Sequence, residues 1–195
     1  MKKAFTLAET LITLAVIGIV AAITIPIVNN TVAEKDKIAK IKKVQATLDN
    51  MLVQSELVNG PIESWPMNEE IGNMKANYWP KYIEPFFSAP KLCSNMTDCG
   101  YGPRFNPRKW QPASWGLVTN STRVLFRLMD GVVIFWPLST TDAQGNPAYV
   151  NQIFVDINGP KNPNVYCKDV FTFAKDYKKG TISATGCTVK YITEN

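Results

Sequence analysis

From Leu11 to Val28 the chain carries no charged side chain, and Phe5 to Thr10 extends the apolar stretch toward the amino terminus with one interruption, Glu9. At about 1.5 Å of rise per helical residue, such a run is roughly the length needed to cross a hydrocarbon core. This divides the chain into a segment that must lie in lipid or against other apolar helices and a remainder that must fold by itself. A cleaved secretory signal has a shorter apolar core, roughly 7 to 15 residues, followed by a small-x-small cleavage site. Here Val28 is followed by Asn29 and Asn30, with no A-x-A pattern beyond, so the run is expected to be retained. Lys2 and Lys3 place the short leading flank in the cytoplasm by the positive-inside rule, which sends everything after Val28 outward.

An ionisable group in a membrane helix costs on the order of 2.5 to 3.5 kcal/mol at the centre, less near an end, and by default marks a function with a partner. No Lys or Arg between Phe5 and Val28 can serve Glu9, so its partner has to come from outside the segment. The stretch KKAFTLAETLITLAVIGIVAAITIP, a short basic leader, then Phe, Thr, Leu, Glu and a long apolar run, resembles the class III signal of type IV prepilins and type II secretion pseudopilins. The resemblance implies cleavage between Ala4 and Phe5 by a membrane prepilin peptidase, N-methylation of the new terminal Phe5, and assembly through Glu9, whose carboxylate would neutralise the amino group of a neighbouring subunit. Two charges that are each expensive alone in lipid become tolerable as a pair. Pro26 falls where the family has a helix-weakening proline, and Gly18 is a further small residue of the packing helix. The family usually has Gly where this chain has Ala4, which implies slower cleavage. The implied partners are the prepilin peptidase, other pilin or pseudopilin subunits, the inner-membrane assembly platform with its ATPase, and membrane lipid. The implied location is the bacterial inner membrane, single-pass, with the carboxy-terminal domain periplasmic or extracellular and the subunit moving into a filament of a pilus, secretion or DNA-uptake machine. The competing reading is a plain signal anchor whose Glu9 snorkels to the interface.

Composition narrows the classes further. A chain of 195 residues with 46% hydrophobic and 19% charged residues has room for one globular core plus an appendage. The net charge of +5 is largely local, in Lys2, Lys3 and the stretch from Lys35 to Lys43, so a nucleic-acid surface is not implied. There is no histidine, which removes the commonest general base and metal ligand, and there is no G-x-S-x-G or clustered acid pair. The chain is expected to be a structural subunit, with no cofactor required and no catalysis. The rival class is a signal-anchored extracytoplasmic enzyme or binding protein.

After the apolar run, Ile38, Ile41, Val44, Leu48 and Leu52 recur at spacings of three and four, one face of a helix that Gly60 and Pro61 stop. A helix continuous from about Thr6 to Val58 would be roughly 80 Å long. Pro26 inside it removes a backbone donor and predicts a kink. Lys35, Lys37, Lys40, Lys42 and Lys43 read as a solvated face, or as a contact for anionic headgroups or an acidic neighbour. The expected organisation is a leader over residues 1–4, a transmembrane assembly helix over 5–28, its amphipathic continuation over 29–60 and an extracytoplasmic globular domain over 61–195.

Residues 62–120 show little periodicity and read as loop-rich. RFNPRKW, from Arg104 to Trp110, mixes cations and aromatics as an ordinary surface loop does, and the N-x-S/T tripeptides at Asn29, Asn95 and Asn120 read as chance. Cys93 and Cys99 bracket a short loop, and Cys167 and Cys187 would then form the second pair; four cysteines allow three connectivities. In RVLFRLMDGVVIFWPL, Val124, Phe126 and Leu128 alternate before a turn at Asp130 and Gly131, and Val132, Ile134 and Trp136 resume. Further strands are expected over 149–155, 170–174 and 188–192. The fold class is α+β, pilin-like, with the long helix packed on an antiparallel sheet. Finally, FVDINGPKNPNVYCKDVFTF collects oxygen donors at Asp156, Asn158, Asn162, Asn164 and Asp169. The first reading is a tight loop whose Asp and Asn side chains cap their own backbone; the segment's looser resemblance to the carboxy-terminal part of pseudopilins implies a calcium site as the other reading, since calcium takes 6 to 8 such oxygens.

Overall fold

The computed structural model describes residues 6–66, 74–103, 105, 123–141, 147–149, 151–176 and 179–193. Its first element is helix α1, Leu7–Asn59, which runs 53 residues with Pro26 inside it. The helix ends where Gly60 takes a φ of +80°, a left-handed value that glycine adopts without steric cost, and Gly60 N–H closes onto Glu56 O at 2.9 Å. Threonines within the apolar part turn their hydroxyls back onto their own helix: Thr13 to Glu9 O at 3.0 Å, Thr24 to Val20 O at 2.9 Å and Thr31 to Ile27 O at 3.0 Å. Of the described helices, α1 is the one long and apolar enough to cross a membrane.

The chain divides between Ala39 and Lys40 into two compact units. In the second, Ile41, Val44, Leu48 and Leu52 of the expected stripe are buried together with Met51 and Ser55. Strands β1 (Lys91–Cys93), β2 (Arg123–Arg127), β3 (Val133–Pro137), β6 (Gln152–Asp156), β7 (Val170–Asp176) and β8 (Thr181–Thr185) form one antiparallel sheet in the order β1-β2-β3-β6-β7-β8. A two-stranded ribbon, β4 (Ser139–Thr141) with β5 (Pro147–Tyr149), is inserted between β3 and β6. The long helix packs on this sheet through its second half, where Gln45 Nε2 donates to Ile182 O of β8 at 2.6 Å and Lys43 pairs with Asp130 at 2.6 Å.

Both faces of the sheet are covered, so β3 is buried at every position and β2, β6 and β7 at most of theirs. On one face Phe126 and Trp136 meet the rings of Trp79 and Phe87. Trp79 belongs to a π-type helical segment, Met74–Ile83, which is tied to α1 where Ser55 Oγ donates to Tyr82 O at 2.6 Å. On the other face Leu125, Val133, Phe135, Phe154 and Val170 pack with Cys93, Cys99 and Tyr101, and Met96 and Phe105 close over them. Arg123 lies buried there with its guanidinium 4.3 Å from the Phe135 ring centroid.

Several sequence expectations need correction. In the first hairpin Val124 and Phe126 share a face, but Leu125 between them is equally buried, because the sheet has no solvent face there. The run 149–155 is broken at its start, with β5 in the ribbon and β6 in the main sheet. The segment expected as a strand over 188–192 is a short helix, α2 (Thr188–Thr193). Gly186, at φ +57°, ends β8, and the following turn buries Thr188 and Tyr191, three residues apart, with Tyr191 set edge-on to Phe171 at 5.2 Å. The edge of the sheet is instead β8. Within 62–120, the π-type segment and β1 add regular structure that the lack of periodicity had hidden.

Candidate functional site

The described chain begins at Thr6, so the cleavage and methylation positions expected at Ala4 and Phe5 lie outside the described residues. Immediately after them the helix opens with a reciprocal cap. Thr6 sits just before the first helical residue, and its N–H donates to Glu9 Oε2 at 2.8 Å. The Thr6 hydroxyl donates to the same oxygen at 2.9 Å, and Glu9 N–H reaches back to Thr6 Oγ1 at 3.3 Å. This is the capping box, in which two donors that a helix start would leave orphaned are satisfied by each other's side chains. Thr10 adds a hydroxyl bond to Leu7 O at 2.8 Å. Sequence reading singled out Glu9 but not Thr6, although the T-x-x-E spacing ahead of an apolar run carries the signal.

Pro26 lies within α1, followed by further helical turns. Of the lysines expected on a solvated face, Lys37 pairs with Glu34 at 2.8 Å and Lys43 with Asp130 at the β2–β3 turn. Of RFNPRKW, Phe105 is described, and its ring lies 4.5 Å from that of Tyr101; the rest lies outside the described residues, as does Asn120.

The oxygen-rich loop after β6 comes together around two buried carboxylates. Asp169 accepts from Val165 N–H at 2.6 Å, Asn164 N–H at 2.7 Å and Asn158 Nδ2 at 3.2 Å. Asp156, fully buried, accepts from the Tyr101 hydroxyl at 2.8 Å and Asn158 N–H at 3.2 Å. One end of the Asn164 amide lies 2.8 Å from Asp156 Oδ2 and 2.9 Å from Gly159 O, acceptors to which its nitrogen donates when turned inward. Asn162 contributes its backbone oxygen to Asn158 Nδ2. Burial lifts Asp156 to about 8, against the pull of the Tyr101 hydrogen bond and with the nearby Asp169 charge pushing it further up. Burial likewise raises the Tyr101 phenol, as do the two carboxylates. Gly159, at φ +64°, lies against the Gly131 carbonyl so closely that a Cβ would collide with it, which docks the loop on the β2–β3 turn.

For calcium, this donor set fits poorly. Both carboxylates already accept hydrogen bonds from N–H or O–H donors, and among the described residues of the loop Asn158 Oδ1 is the buried side-chain oxygen without a hydrogen-bond partner. Among the described residues no group of three or more acidic, cysteine or histidine side chains is placed to share a metal.

Two disulfides brace this unit. Cys93–Cys99 has Cα atoms 5.4 Å apart, and inside its loop Asp98 accepts from Ser94 N–H at 2.9 Å while Asn95 Oδ1 accepts from Asp98 N–H at 2.9 Å. Cys167–Cys187, with Cα atoms 5.8 Å apart, fastens the end of the oxygen-rich loop to the turn leading into α2.

Residues 1–25 match the family described as the prokaryotic N-terminal methylation motif. No curated protein and no solved structure matches the chain significantly. The matched residues carry a prepilin-type N-terminal methylation motif, which supports a pilin- or pseudopilin-like, prepilin-processed protein. Such a motif implies processing by prepilin peptidase and assembly with other pilins. With α1 behind it, the chain is membrane-anchored and single-pass.

Proposed function

We propose that this chain is a structural subunit of a type IV pilus or a type II secretion pseudopilus-like filament. It is held in the inner membrane by α1 with its amino terminus cytoplasmic, cut between Ala4 and Phe5, methylated on Phe5 and assembled through Glu9. The globular unit, facing the periplasm or the cell exterior, keeps its oxygen-rich loop in place by hydrogen bonds without a resident metal. The observation that carries the reading is Glu9 at the start of a helix that presents apolar side chains on every side: from Leu7 to Val32 every large apolar residue is exposed. Among the described residues none covers this surface, so lipid before assembly and neighbouring α1 helices after it are what it fits.

Glu9→Ala is the test. The substitution removes a charge from the apolar segment, so the variant should remain in the membrane and still be cut, its mature mass corresponding to a chain starting at methylated Phe5. Its share in sheared filaments should fall by roughly a hundredfold or more, the scale for removing one half of a buried charge pair. Glu9→Asp should be partly defective and Glu9→Gln nearly as defective as Ala. Assembly of Glu9→Ala at the wild-type level, or a native chain still starting at Met1 beside an active peptidase, would sink the reading.

A further inference from the structure

On one side the sheet ends at β1, whose three residues pair with β2. The β2–β3 turn fixes which backbone groups of β1 are engaged. Leu128 N–H closes that turn onto Val132 O at 2.8 Å, and bonded and non-bonded pairs alternate from there along the antiparallel strands. Phe126 therefore bonds toward β3, while Leu125 and Arg127 bond toward Cys93 and Lys91. Leu92, opposite Phe126, has its N–H and O directed away from the sheet, and no described residue takes either. Pro90 has no N–H, and Ser94 N–H is held by Asp98 at 2.9 Å, so the open edge is short. Such an edge is a template for a further strand. The Leu92 side chain, 44% exposed, lies on the same face as Val124 and Phe126, the face that Trp79 covers.

Leu92 also lines a cavity of about 290 Å³, walled by Trp79, Pro80 and Val124 and flanked by Lys75 and Glu84. That is just under the roughly 300 to 1,000 Å³ of pockets that enclose a whole small molecule, and is room for one large side chain. Trp79 is buried, and its indole N–H has no acceptor among the described residues. A buried donor left in that state calls for an explanation. Lys75 stands at the start of the Met74–Ile83 segment and Glu84 directly after it, so two opposite charges bracket Trp79 and Pro80. Neither charge has an ion-pair partner among the described residues.

We propose that β1 and this cavity form a docking groove for an extended peptide segment of another protein, one that carries a tyrosine between two residues of opposite charge. A residue paired with Leu92 through both main-chain bonds puts its own side chain on the Leu92 face, over the cavity, and its neighbours two positions away face the same way. Tyrosine packs its ring against Trp79 and Pro80, and its hydroxyl oxygen supplies the acceptor that the indole lacks. An acid and a base at the flanking positions match Lys75 and Glu84. The groove goes beyond the filament reading and does not depend on it.

The test uses the full chain in lipid nanodiscs and two end-blocked peptides, Lys-Thr-Tyr-Thr-Glu and Glu-Thr-Tyr-Thr-Lys, with binding followed by NMR of the Trp79 indole and the Leu92 amide. One peptide should shift both signals saturably and bind several-fold tighter than the other, and the double variant Lys75→Glu, Glu84→Lys should reverse that order. Replacing the peptide's tyrosine with alanine should weaken binding roughly tenfold or more, and with phenylalanine several-fold. Methylating its tyrosine amide nitrogen should cost as much as alanine, because the bond to Leu92 O is lost. These changes are made in the peptide, so a folding failure of the protein cannot imitate them. No saturable shift from either peptide at millimolar concentration, or equal binding of the alanine, phenylalanine or N-methyl peptide, overturns the proposal. So does N-acetyl-tyrosinamide binding as tightly as the longer peptide, which would make the cavity a small-molecule pocket. A dimer of the full chain that Leu92→Lys abolishes and neither peptide inhibits also overturns it, and would give the edge to a second copy.

Discussion

Between Leu7 and Val32 every large apolar side chain is exposed, and the polar groups bond to partners three or four residues away. Beyond Lys40 the pattern inverts. Ile41, Leu48, Phe126, Val155 and Phe173 are fully shielded, and polar bonds leap along the chain, from Gln45 to Ile182, from Tyr101 to Asp156, from Lys175 Nζ to Pro137 O. The first unit is helix with no buried core among its described residues; the second is organised around one. A helix of the first kind is complete locally and incomplete globally, because its backbone needs nothing from the rest of the chain while its surface needs another phase or another molecule. The second unit is the reverse. Its short strands would be marginal alone, and only long-range packing makes them persist.

The largest effect should come from cutting at that contrast. A chain lacking residues 1–33 should lose all membrane association, yet remain soluble, keep both disulfides and unfold in one cooperative step. Flotation on a density gradient and a thermal melt by circular dichroism check the two halves of this statement. A truncated domain that precipitates or melts without cooperativity would show that the second unit depends on the first.

Within the second unit, the two disulfides differ in how much chain they close. Cys167–Cys187 spans 20 residues and Cys93–Cys99 spans 6. On chain-entropy grounds, replacing the first pair with serines should cost about 3 kcal/mol and the second about 2 kcal/mol, read from denaturant midpoints. The reverse order would mean that the short loop, packed under Met96 and Phe105 in the core, matters more through burial than through closure.

Legibility in the sequence divides along the same line. The long helix was legible from end to end, because an apolar run, a three-and-four stripe beyond it and a stop at Gly60 are local signals that a helix obeys without tertiary help. Thr6 carries its signal only in the T-x-x-E spacing, which the charge of Glu9 overshadows. The second unit was legible where strands are long and bounded by turn residues, as in β2, β3 and β7. It was not legible at Thr188–Thr193, where a six-residue run suits strand or helix equally and the contact with Phe171 decides. Nor could the sequence tell a cation cage from a hydrogen-bonded loop over Asp156 to Asp169, since both need the same oxygens. The choice depends on where the N–H groups of Asn158, Asn164 and Val165 point, and on Tyr101, which lies 55 residues away in sequence.

That loop yields the smallest expected effect and the sharpest one chemically. The Asp156 carboxyl in the folded chain titrates at about 8, held there chiefly by burial, whereas an unfolded Asp titrates at about 3.9. Between those values the folded state keeps a proton that the unfolded chain gives up, so the associated stability is complete below about pH 4 and is lost as pH rises through about 8. Lys175 acts in the opposite sense, since burial drives its ammonium well below the usual lysine range. Asp169 and the Tyr101 phenol also face Asp156. All three are retained in Asp156→Asn, so subtracting that variant's stability from the wild type's isolates Asp156. The difference should fall by about 1 to 2 kcal/mol from pH 4 to pH 8 and stay flat above, less than the full shift implies because the loop can relax around an ionised carboxylate. At pH 8, with Asp156 half ionised beside Asp169, calcium has its best opportunity. If the N–H and O–H donors already hold these oxygens, millimolar calcium should move the melting temperature by less than about 1 °C, and a chelator should move it no further. A calcium-dependent rise of several degrees that disappears in Asp156→Asn would overturn the hydrogen-bonded reading. It would also blur the contrast between the two units, because the globular one would then need an outside partner as well.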